Sequence, residues 1–230
     1  MSIEIEIVML GTTPLLCRNP QMVDPEIELN RHLKAITKKK KKTDEDNRQI
    51  EKMEWFGGLY TANIEGKVVI TQPCSKVRKC LINTARITKQ GKQIERSVIM
   101  PRVDVAIIYP GSEKVKDIGD ETDRLYKDSA FVSRLSVGLA GKRIMRIRPQ
   151  FSQWALIVPV IFLDDAGLNF DEFQRIVDLA GRAERIGDNR VNGYGSFLGH
   201  ARILAGVKSI PTTISDVRAF FEALHGQEAA

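Results

Sequence analysis

Ile186-Gly-Asp-Asn-Arg-Val-Asn-Gly-Tyr-Gly-Ser-Phe-Leu-Gly-His-Ala-Arg-Ile-Leu204 is the stretch that decides how this chain reads. An amphipathic helical pattern runs into Gly187, and a polar loop follows. Gly193-Tyr194-Gly195 then turns the chain into an apolar strand that ends near Leu204. Glycine at 193, 195 and 199 lets the backbone take positive φ and approach another chain closely. Consecutive N–H groups in such a turn form a concave site suited to phosphate. The same glycines also fit a plain tight connection between helix and strand.

Working outward, Phe170 to Ile186 places Phe170, Phe173, Ile176, Val177, Leu179 and Ala180 on one helical face. Ser196 to Leu204 is the final core strand. Trp154 to Leu163 is almost wholly apolar and belongs at a sheet centre. At the other end of the chain, Ile3 to Ile7 alternates with period two, the mark of a strand with one buried face. Glu65 to Thr71 is a further strand. Pro73 opens a helix whose apolar stripe is Val77, Leu81, Ile82 and Ala85. Ser97 to Tyr109 is strand-like, and Pro101 within it implies an edge or a bulge. Gly111 to Asp128 is polar and reads as a loop. Residues 131–151 form two strands around Gly138-Leu-Ala-Gly141, a hairpin. Residues 25–56 are charged and helical, with Thr43 and Asp46 as a cap for a second helix. That segment reads as a helical hairpin or mobile insertion. Its five-lysine tip, Lys38 to Lys42, repels itself and is expected to be disordered when unbound. Asp216 to His225 forms a short terminal helix capped by Ser215. The order fits an α+β chain with one domain over 1–230. Its core is a ferredoxin-like, RRM-like βαββαβ unit carrying the helical insertion and the β-hairpin. A sheet of that kind commonly presents an open face to single-stranded RNA.

The chain has 230 residues, is 43% hydrophobic and carries a net charge of +6. No apolar run is long enough to span a bilayer, and a start containing Glu4 and Glu6 is unlike a signal peptide. A cytoplasmic location is expected. Cys17, Cys74 and Cys80 lack metal-ligand spacing and read as reduced, partly buried thiols. The charge is segregated. Seven basic residues and one acid lie between Lys76 and Arg96, and five basic residues and no acid between Phe131 and Phe151. Such runs suggest a polyanion-binding face, because each phosphate contact gains from counterion release.

With its elements in this order, the chain resembles the RAMP superfamily of CRISPR-associated RNA-binding proteins. Gly187-Asp188-Asn189-Arg190 and Gly193-Tyr194-Gly195-Ser196-Phe197 carry the resemblance. Within the superfamily the chain is most similar to the backbone subunits that polymerise along a guide RNA. Arg148-Pro149-Gln150-Phe151-Ser152-Gln153-Trp154 also resembles segments of phage and mobile-element proteins. The sharp motif covers only 187–199. It departs from the family pattern at Ser196, where many relatives carry Arg or Lys.

The resemblance implies non-catalytic binding of single-stranded guide RNA by a repeated subunit of a defence ribonucleoprotein. The partners would be copies of itself along the strand and other subunits, with no membrane, no metal and no cofactor. On that reading the helix after Pro73 supplies Lys76, Arg78 and Lys79. The hairpin supplies Arg134, Lys142, Arg143, Arg146 and Arg148, whose guanidinium planes hold phosphates and stack on bases. The loop supplies Asn189, Arg190, Gly193, Tyr194 and Gly195. Trp154 belongs to the core, and Trp55 fits either core or interface. Three alternatives stay open. A processing endoribonuclease of the same superfamily would use His32 as acid or base; Asp24 lies in a similar region, where some backbone subunits carry a target-cleaving aspartate with a metal. A phage single-stranded DNA-binding accessory protein would use the same basic groove. A structural protein would use the loop and basic faces for protein contacts only.

Overall fold

The computed structural model describes residues 2–139, 142–164, 167–205 and 210–228, with Leu139, Lys142, His225, Gln227 and Glu228 described by backbone alone. Strand β1 (Ser2–Gly11) organises the molecule. Its alternation sends Ile5, Ile7 and Met9 to one face and Glu6 and Val8 to the other, all of them buried. Antiparallel neighbours pair with it on both sides: β9 (Ala155–Leu163) and β10 (Phe197–Ile203). The short strand β5 (Val98–Ile99) joins the far side of β9, so the order is β10-β1-β9-β5.

Helix α3 (Cys74–Ile87) and its continuation α4 (Gly91–Ser97) lead into β5, while α6 (Phe170–Ala183) links β9 to β10. Pro73 in an extended conformation caps α3 as the sequence suggests, and Val77, Leu81, Ile82 and Ala85 are buried. α6 begins with a capping box between Asn169 and Glu172, and buries Phe173, Ile176, Val177 and Ala180. Their inward side chains meet Ile5, Ile7, Leu156, Val158 and Phe162 in one core. Each such apolar side chain contributes about 1.5–3 kcal/mol on burial. Gly181 is where α6 crosses β10: a Cβ there would lie 1.8 Å from the Phe197 carbonyl oxygen.

Two small sheets flank this unit. β3 (Thr61–Ile64), β4 (Lys67–Pro73) and β6 (Asp104–Ala106) form one, with Glu65 and Gly66 turning the hairpin at positive φ. The expected strand over Ser97–Tyr109 is thus two strands in two sheets, separated around Pro101. The third sheet holds β2 (Leu15–Leu16), β7 (Val132–Leu139) and β8 (Lys142–Phe151). β7 and β8 are the expected basic hairpin; its tip, residues 140–141, lies outside the described residues.

The insertion is a helical hairpin of α1 (Glu28–Thr37) and α2 (Asp44–Gly58). Thr43 and Asp46 make the expected capping box. The lysine tip forms a turn in which Lys39 reaches Asp46 at 2.6 Å and the Lys42 ammonium donates to the Lys39 carbonyl at 3.2 Å. α2 is fixed to the body by Trp55, which is fully buried and donates Nε1–H to the Phe131 carbonyl at 2.9 Å. Trp154 is also fully buried and donates to the Thr13 carbonyl at 2.8 Å.

Three readings need correction. Gly111–Asp128 is not all loop, because α5 (Ile118–Lys127) starts there with Asp117 as its cap. The sheet face expected to lie open is partly covered by α7 (Ile214–Glu228), whose Ile214, Val217 and Phe221 pack on Val8, Ile108 and Ala155. The cap of α7 is Thr213, not Ser215. The Asp216 N–H donates to the Thr213 hydroxyl at 3.2 Å, and the Thr213 N–H donates back to Asp216 at 3.0 Å. Thr213→Ala is therefore expected to cost about 1 kcal/mol of stability in a urea melt. Ser215→Ala should be neutral, and the reverse ranking would restore the Ser215 cap. Among the described residues no helix is long and apolar enough to cross a membrane.

Candidate nucleic-acid interface

The glycine loop is held by the first residues of the chain. Beyond α6, Arg185 at φ 61° and Gly187 at φ 83° reverse the backbone. The Asp188 N–H then donates to the Leu16 carbonyl, and the Gly195 N–H to the Pro14 carbonyl, each at 2.9 Å. The Thr13 hydroxyl donates to the Gly193 carbonyl at 2.7 Å and accepts from the Ser196 N–H at 2.9 Å. Gly195 is needed for a close approach within the protein itself: a Cβ on it would sit 1.7 Å from the Ile186 carbonyl oxygen. Gly193 also has positive φ, but a Cβ there would meet nothing within 4 Å. The N–H groups of Asn192, Gly193, Gly195 and Ser196 all donate to protein oxygens. The loop therefore offers a partner its side chains and not the free N–H cradle its glycines suggest.

Those side chains stand beside cations from two other elements. Arg148 of β8 pairs with Asp188 at the start of the loop. Arg190 pairs with Glu184 at 3.0 Å. Lys76, in the first turn of α3, lies 4.4 Å over the Tyr60 ring and makes no ion pair among the described residues. Burial is the main cause holding its pKa below the usual lysine value; Cys17 and Asp188 oppose the shift, and Arg190 adds to it. The rim thus gathers three cations around two carboxylates, with Tyr60 beneath Lys76. Tyr194 is half-buried in the same loop. Burial pushes the Cys17 thiol up to about 12. All three cysteines are free and buried.

The remaining basic residues divide. Arg78 is turned inward to the structure, donating to the Val98 carbonyl at 3.3 Å and the Glu95 carbonyl at 2.9 Å, so it ties α4 to α3. Lys79 and Arg143 are exposed. Arg134 pairs with Glu51 at 3.3 Å and Arg146 with Glu54 at 2.7 Å, both acids coming from α2. The Lys142 side chain lies outside the described residues. The hairpin is free of acids along the chain but not in space.

His32 and Asp24 are both exposed. The Asp24 carboxylate accepts the Glu26 N–H at 2.9 Å, a turn-capping role. Among the described residues no three His, Cys, Asp or Glu side chains come together as a metal site. Sequence reasoning missed Thr13, Tyr60 and Asp188. Asp188 lay inside the quoted motif and had a signal; Thr13 and Tyr60 join the rim only through folding. No protein-family model matches this chain, and no curated protein matches it.

Proposed function

We propose that this chain is a RAMP-like subunit that binds single-stranded RNA along the rim formed by the α3 N-terminus, β8 and the glycine loop, without cutting it. The convergence of Lys76, Arg148 and Arg190 carries the reading. Three stretches far apart in sequence bring an excess of positive charge to one place, and Lys76 is left without a carboxylate of its own. Phosphates fit that excess, and counterion release adds to the gain. Arg143 and Lys79 extend the cationic surface, and Tyr194 offers a face for a base to stack on. The strand order β10-β1-β9-β5, with helices before β5 and between β9 and β10, favours a ferredoxin-like βαββαβ core. A guide RNA in a cytoplasmic ribonucleoprotein, held by repeated copies of the chain, is the corresponding setting.

The test is purified protein titrated with labelled single-stranded RNA, the same sequence as DNA, and hairpin RNA, with magnesium and with chelator. Single-stranded RNA should bind with a logarithmic salt slope of about −2, as three phosphate contacts on a single strand give. No strand should be cut. Cleavage that disappears in His32→Ala or Asp24→Ala would replace this reading by the endoribonuclease. Tighter binding of DNA would favour the phage accessory protein. Absence of all binding would leave a structural protein.

A further inference from the structure

The helical insertion places two carboxylates against the basic hairpin, and their geometry points to a role for them. Glu51 and Glu54 lie one turn apart on α2. Glu51 meets Arg134 at 3.3 Å. Glu54 meets Arg146 at 2.7 Å and accepts the Ile147 N–H at 3.1 Å, so it also closes part of the free edge of β8. The two arginine side chains are 49% and 43% exposed and within reach of solvent, whereas Glu54 is 11% exposed. α2 is not free to swing away. Trp55, the residue after Glu54, is fully buried and hydrogen-bonded to the Phe131 carbonyl, and its ring lies 5.5 Å from that of Tyr126. A phosphate that reaches Arg134 or Arg146 must therefore share the arginine with a fixed carboxylate. Arg143, exposed on the same hairpin, makes no ion pair among the described residues and carries no such restraint.

We propose that Glu51 and Glu54 are specificity-determining residues: built-in counter-charges that temper the hairpin's attraction for any polyanion. Stable binding then requires engagement of the Lys76–Arg190 rim as well. The more exposed pair, Arg134–Glu51, is weak enough for phosphate to exchange with, while like charge at close range lowers the affinity of the exchanged state. The inference rests on the hairpin flanking the proposed RNA path, and its experiment separates the two.

Glu51→Gln, Glu54→Gln and the double variant are titrated with labelled homopolymeric single-stranded RNA and, separately, with heparin. Glutamine at 54 keeps one oxygen for the Ile147 N–H but loses both the charge and the second acceptor, the one that meets Arg146. Glu51→Gln should bind RNA roughly threefold more tightly and the double variant roughly tenfold, the scale of one or two nearby like charges removed. The salt slope should steepen by about 0.7 for each arginine released to a phosphate. Unchanged or weaker RNA binding by Glu51→Gln, with an unaltered melt and a wild type that does bind, overturns the inference and leaves the proposed function standing. If the wild type ignores RNA yet the variants bind heparin more tightly, the function fails and the counter-charge role survives. Should Glu54→Gln lower the melting temperature, Glu51→Gln alone decides, since among the described residues its side chain pairs with Arg134 and takes no backbone N–H.

Discussion

Gly195→Val should leave little folded protein. At φ +74° this residue stands where a side chain is disfavoured, and its Cβ would fall 1.7 Å from the Ile186 carbonyl oxygen, a backbone atom that cannot rotate aside. Relief requires parting the loop from the end of α6, which breaks the Ile186-to-Gly195 hydrogen bond and the Gly195-to-Pro14 bond together. A loss of about 4 kcal/mol or more is expected, a large share of the 5–15 kcal/mol typical of a whole domain. Gly193→Ala is the control. Its φ is +91° but the space around it is open, so only the left-handed backbone penalty of about 1–2 kcal/mol applies. Urea midpoints followed by far-ultraviolet circular dichroism measure both. A Gly195→Val protein with the parental midpoint would mean the loop does not close in this way.

The second large effect is on binding. Lys76→Gln with Arg190→Gln should weaken single-stranded RNA binding about 10- to 100-fold and flatten the salt slope by about 0.7 for each cation removed, irrespective of base sequence. Among the described residues Lys76 holds no ion pair, only its place over the Tyr60 ring, and its substitution should leave the melt almost unchanged. Arg190 also donates to the Glu184 carbonyl at 3.3 Å, so its variant needs a circular dichroism check before its affinity is read. Parental affinity in a folded double variant would move the strand off this rim.

The main sheet was legible in the sequence because its strands and helices are patterned by burial alone. Ile3 to Ile7, Trp154 to Leu163 and the face of α6 announce themselves through period and apolarity, and Thr43 and Pro73 mark helix starts by their chemistry. α5 was hidden for an opposite reason. Its inward face holds the carboxylate of Glu121, 8% exposed, which accepts from the Tyr109 hydroxyl at 2.9 Å and from Arg124 at 2.7 Å. Those partners hold its pKa below the ordinary glutamate value, the Arg124 hydrogen bond most of all. Its apolar stripe is only Ile118, Leu125 and Tyr126, with the buried Glu121 on the inward side, so a short amphipathic face passed for a polar loop. Charge misled in the same manner. The run from Phe131 to Phe151 contains no acid along the chain, yet Glu51, Glu54 and Asp188 reach three of its arginines from elsewhere. A sequence displays charge in one dimension, whereas ion pairs form across the fold.

The pairing of β1 also fixes when the interface can exist. β1 precedes both of its partners in the chain by a long way: Ala155–Leu163 on one side and Phe197–Ile203 on the other. Contacts so distant in sequence close slowly, since loop entropy must be lost before pairing is gained. During synthesis Ile5, Ile7 and Met9 therefore have no sheet to enter until β9 is made, and the left-handed turn that presents Arg190 has nothing to anchor it until the loop meets Thr13 and Pro14. The lysine turn of the helical insertion, by contrast, needs only local contacts and forms early. A nascent chain thus displays its most basic local segment long before it has a rim to guide a strand, and its central strand must be kept from wrong partners throughout that interval.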